Sequence, residues 1–92
     1  MPAEISGNQI RIRMKDPELF SEWGTDDVGS PGKIQRVAGK NKRTGNWETQ
    51  SWRINLNDYS NVNEVISEIK KLKEINGSQK YEAIKLAKEY FK

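Results

Sequence analysis

The chain contains no cysteine and no histidine among its 92 residues. That excludes disulfide frameworks, thiol nucleophiles and the usual zinc sites. It also excludes every Ser-His and Cys-His catalytic pairing, and the side chain that titrates nearest neutral pH. An enzyme built from this chain would have to use carboxylates, lysines, tyrosines or a bound cofactor. No motif points to one, so the expectation is a non-enzymatic protein with neither cofactor nor metal. No apolar run exceeds two residues, far short of the roughly 18 that would suggest a membrane span. The opening MPAEISGNQI has neither the basic start nor the apolar core of a signal peptide. A cytoplasmic protein without membrane contact is therefore expected.

What the chain does have is charge sorted by segment. Lys and Arg number 16 against 13 Asp and Glu, a net charge of +3. That small excess hides a pattern. Arg11, Arg13 and Lys15 face only Glu4 in the first fifteen residues. Asp16, Glu18, Glu22, Asp26 and Asp27 follow with no cation among them. Residues 33–53 then carry Lys33, Arg36, Lys40, Lys42, Arg43 and Arg53 against Glu48. Positive charge concentrates where strands and the last helix are expected. The length suits one domain spanning residues 1–92, with a thin core in which each large apolar residue counts.

Periodicity supplies the elements. Gln9 to Lys15 alternates Ile10, Ile12 and Met14 with Arg11, Arg13 and Lys15, a half-buried strand with a cationic outer face. Asp16-Pro17 reads as the cap and first position of a short helix. Leu19, Phe20 and Trp23 would pack beneath that helix, and Gly24 would end it. Thr25 to Gly32 reads as a loop. Its GSPGK brushes against a phosphate-binding loop, but that motif needs glycine at 27 and Ser or Thr at 34, where the chain has Asp27 and Ile34. Asp26-Asp27 lacks the alternating ligands of a calcium loop.

Lys33 to Leu56 forms the centrepiece, a hairpin with a basic loop over Lys40–Asn46. Ile34 to Gly39 alternates poorly, and a bulge at Gly39 would reconcile it. In the second strand Glu48, Gln50, Trp52, Ile54 and Leu56 share one face, and Trp47, Thr49, Ser51, Arg53 and Asn55 the other. Asn61 with Glu64 opens a helix whose stripe runs through Val62, Val65, Ile66, Ile69, Leu72 and Ile75. Asn76-Gly77 would stop it with a left-handed glycine. Ser78 would cap a second helix with Tyr81, Ile84, Ala87 and Phe91 inward.

These elements predict an α+β two-layer sandwich. A three-stranded antiparallel sheet carries two C-terminal helices on one face, and a short helix follows strand 1. IRIRMKDPELF (Ile10–Phe20), a glycine-rich basic strand and ETQSWRINLNDY (Glu48–Tyr59) together resemble a small phage- and prophage-associated module of the form IRIRVxDPxxF … VQSxxF. The resemblance implies a mobile-element setting and a small accessory domain. It implies no specific chemistry.

Two functions follow. Arg11, Arg13 and Arg53 on the open sheet face, Lys42 and Arg43 at the hairpin tip, and Trp47 as a stacking surface make a candidate site for DNA or RNA of low sequence preference. Alternatively, the face or an edge strand docks a protein partner by sheet augmentation. Steep salt dependence separates the first from the second.

Overall fold

The computed structural model describes residues 3–28, 34–72 and 74–92. Five strands, not three, build one antiparallel sheet: β1 (Glu4–Ser6), β2 (Gln9–Arg13), β3 (Phe20–Val28), β4 (Ile34–Asn41) and β5 (Trp47–Asn55). Their spatial order is β1-β2-β5-β4-β3. The predicted class is α+β, as found, but the strand count was too low at both edges. β1 was too short to show a period. β3 is the larger surprise, because Phe20–Val28 was expected to be part helix and part loop.

The cause is local. Asp16 does cap, accepting from the Glu18 amide at 3.0 Å with Pro17 at the first position, but the turn ends at Leu19 after three residues. Phe20 then enters the sheet because β4 offers it a complete antiparallel partner, with Trp23 opposite Gly39 and Thr25 opposite Val37. Pairing and burial of Phe20 outweigh the helix signal of one cap and two glutamates. Residues 29–32 of the expected loop, and Lys33 at the start of the expected hairpin, lie outside the described residues.

One face of the sheet carries the helices α1 (Val62–Lys71) and α2 (Gly77–Tyr90). Ile10, Ile12, Trp52, Ile54 and Leu56 point to it and are buried, with Val65 and Ile69 from α1 and Leu72 just after it above them. This is the core that alternation predicted. Asn61 caps α1 by accepting from the Glu64 amide.

The start of α2 differs from the expectation. Asn76, not Ser78, is its cap, closing a reciprocal pair of hydrogen bonds with Gln79, and Gly77 opens the helix with no left-handed turn. The Asn-Gly pair therefore begins a helix rather than ending one. Its inner side is Ala83 and Ala87, both fully buried, while Tyr81 is 71% exposed. Two small residues one turn apart let α2 lie close to the sheet, and that choice turns Tyr81 outward.

Tyr59, just after the turn Leu56–Asp58, is buried at the core's edge. Burial pushes its hydroxyl pKa up to about 12, helped by Glu68, Asp58 and Glu64 nearby. The unfolded phenol ionises near 10, so this group affects stability only above that pH. Stability is expected to fall as pH climbs from about 10 to about 12, where the unfolded chain releases the proton and the folded one holds it. Chemical denaturation at alkaline pH checks this. Tyr59→Phe is expected to lose less stability over that interval than the parent, and equal losses would refute the assignment.

Candidate nucleic-acid interface

The sheet face opposite the helices is open. Register places its side chains in rows across the strands. Glu4, Arg11, Arg53 and Gln35 lie in one row, which ends on β3 at the position of Asp27. Arg13, Ser51, Val37 and Thr25 form the next, and Glu48, Gly39 and Trp23 the third. Val37 is buried while Trp23 stands at its edge, half-exposed. Between them lies a groove of about 400 Å³, lined by Arg11, Arg13, Trp23, Val37, Ser51 and Arg53 among others.

Three of the predicted residues thus come together: Arg11, Arg13 and Arg53. Arg11 and Arg53 are directly opposite across β2 and β5. The Arg11 Nε donates to Gln9 at 3.1 Å. None of the three arginines forms an ion pair with a described carboxylate, although Glu4 faces Arg11 across the first ladder and lines the groove. Three other cations of the sheet region are paired: Lys15 with Glu48, Arg36 with Asp26 at 3.5 Å and Lys40 with Glu22 at 3.8 Å. The hydrogen bond from Lys15 holds the Glu48 carboxyl below its usual pKa.

Two of the acids of β3 lie off this surface. Glu22 and Asp26 alternate with Trp23 and Thr25, so they point to the helix side and meet Lys40 and Arg36 there. The strand's period sends these two acids to the reverse, while Asp27, opposite Gln35, falls at an open-face register position in the row of Arg53.

Trp47 is not part of the face. It was expected beside Arg53 by odd-numbered alternation, and a bulge breaks that parity. Val37 pairs with Ser51 but Ala38 pairs with Thr49, so Gln50 is the extra residue and everything before it changes sides. Thr49 consequently turns to the helix side, buried, accepting from Arg36 Nε and donating to Glu74 at 3.2 Å. Trp47 sits on that same side over Gly24, whose Cβ position would be 3.8 Å from the indole.

The bulge has a visible cause. The Gln50 carbonyl accepts from both the Met14 and Lys15 amides, at 2.8 and 3.2 Å, and its side-chain amide donates to the Lys15 carbonyl at 2.8 Å. The extra residue anchors the connection from β2 towards β3. Gly39, expected at the bulge, has a different duty. A Cβ there would lie 2.4 Å from Cγ of Phe20, so only glycine leaves room for that ring.

Lys42 and Arg43 occupy the β4–β5 turn, as expected, but outside the groove. Asn41 Oδ1 accepts from the Arg43 and Thr44 amides, and Gly45 takes a positive φ of 77° to close the turn. The two cations border a separate shallow hollow with Glu18 and Leu19. Trp23 is the residue that sequence reasoning missed. The available signal was the alternation of Trp23 and Thr25 against Glu22, Gly24 and Asp26, hidden behind the helix-like Asp16-Pro17 start.

Among the described residues no cluster of three or more acidic side chains could hold a metal ion, and no helix is long and apolar enough to cross a membrane. Set beside family models, curated proteins and solved structures, the chain matches none.

Proposed function

We propose that this chain is a non-enzymatic, cytoplasmic binding module that takes nucleic acid with little sequence preference on its open sheet face. The observation that carries this reading is the set of Arg11, Arg13 and Arg53, unpaired by any described carboxylate, on two adjacent strands beside a groove. Guanidinium groups match phosphate oxygens in pairs and keep their charge at any physiological pH. Like charges directly opposite on a sheet destabilise it, so the Arg11–Arg53 juxtaposition costs stability unless a polyanion bridges it. Lys42 and Arg43 would add attraction from the hairpin end without entering the groove. A mobile-element setting, which the resemblance implies, suits such a module.

A titration of labelled oligonucleotides at about 50 and about 200 mM salt tests the reading. Affinity is expected to fall steeply, with each phosphate that an arginine neutralises adding about 0.7 to 0.9 to the slope of log K against log salt. Absence of binding at the lower salt would overturn it. A second reading has one observation in its favour. Among the described residues β3 pairs only with β4, which leaves its other edge along Phe20–Val28 for a partner strand. Docking there would be nearly indifferent to salt.

A further inference from the structure

We infer that the groove accepts an unpaired base, so that the ligand is a single strand, with Trp23 as the stacking surface. This rests on the nucleic-acid reading and narrows it. Trp23 is 49% exposed, yet its ring is not loose. It meets Phe20 edge-on, with centroids 5.5 Å apart at 67°, and Phe20 is itself buried over Gly39. A half-exposed indole backed by a fixed ring is a platform that loses little freedom when a base stacks on it.

Beside that platform the floor is low. Thr25, Val37 and Ser51 are the side chains between Trp23 and Arg13, and none is large. The hollow they leave falls within the size range of small-molecule pockets. The arginines stand on β2 and β5, two to three strand spacings of roughly 4.8 Å from β3. Stacking surface and phosphate ligands are therefore at opposite sides of one hollow, as a nucleotide with its base at one end and its phosphates at the other requires. A duplex cannot use this arrangement. Its bases are paired and stacked inside, and a concave floor with no projecting element reaches none of them. Trp47, exposed on the reverse side, provides an internal comparison.

The test is fluorescence anisotropy with three labelled probes: a thymidine strand of about a dozen nucleotides, an abasic strand of equal length, and a duplex. The parent protein is expected to bind the thymidine strand about tenfold more tightly than the abasic one. Trp23→Ala is expected to erase that difference without weakening abasic binding, Trp23→Phe to keep most of it, and Trp47→Ala to change neither. The comparison of base-bearing with abasic strands uses unaltered protein, so it stands even if Trp23→Ala folds poorly. Equal affinity for the two strands, or a duplex bound as tightly as a single strand, would overturn this inference and leave salt-sensitive nucleic-acid binding intact. No binding of any probe at low salt would overturn both.

Discussion

Gly39→Ala is expected to destabilise the fold by about 3 kcal/mol, at the upper end of what overpacking does in a well-filled site. The added Cβ would lie 2.4 Å from Cγ, 2.7 Å from Cδ1 and 2.8 Å from Cβ of Phe20. Two of those three atoms belong to the root of the side chain, so rotating the ring away does not remove the clash. Either Phe20 leaves its buried position or β3 separates from β4. The modest gain from restricting the unfolded chain, about 0.4–1 kcal/mol for glycine to alanine, is too small to offset this.

For a domain of this size the loss corresponds to a drop in melting temperature of about 15 °C. Gly24→Ala is the control, because its Cβ would meet the Trp47 ring at an ordinary 3.8 Å. Its melting temperature is expected within a few degrees of the parent. The Phe20→Ala and Gly39→Ala double variant should lose less than the sum of its parts, since Phe20→Ala removes the Cγ and Cδ1 that the new methyl would meet and the methyl takes up part of the space the ring leaves. A Gly39→Ala protein that melts like the parent would show that the ring does not need that space.

The triple change of Arg11, Arg13 and Arg53 to Ala is expected to weaken oligonucleotide binding at low salt by about a hundredfold or more. The salt slope is expected to fall by about 2 to 3, one phosphate contact for each guanidinium removed. The fold should survive. The three side chains point to the open face, and none is paired with a described carboxylate. Removing the opposed Arg11–Arg53 pair takes away a like-charge contact, so the variant is expected to melt no lower than the parent. A binding loss with unchanged or higher stability is hard to attribute to misfolding. Lys42 and Arg43 changed to Ala should have a smaller effect, because they lie outside the groove. Binding by the triple variant within about threefold of the parent would remove these arginines from the site.

Much of the helix layer was legible in the sequence. The Asn61 cap, the α1 stripe and the buried face of Ile10, Ile12, Trp52, Ile54 and Leu56 follow from local spacing alone. The three groove arginines were legible for the same reason. Arg11 and Arg13 alternate with isoleucines inside one short strand, and Arg53 lies on the unbulged side of β5. Trp47 was misplaced and Trp23 missed because each depends on a partner distant in the chain. Side-chain parity along a strand holds only until a bulge. Whether Phe20–Val28 is strand or helix depends on whether β4 is there to pair with it.

Composition and short-range periodicity by themselves determined the class of the domain, its apolar underside and the cationic character of β2. Tertiary structure alone decided which aromatic shares a surface with the arginines. The reason is a carbonyl at Gln50 that serves two amide groups 35 and 36 residues earlier in the chain. Satisfying both requires one extra residue in β5, and that residue sends Trp47 to the far side. Trp23 then reaches the groove because Gly39, with no side chain, leaves space for the ring that supports it.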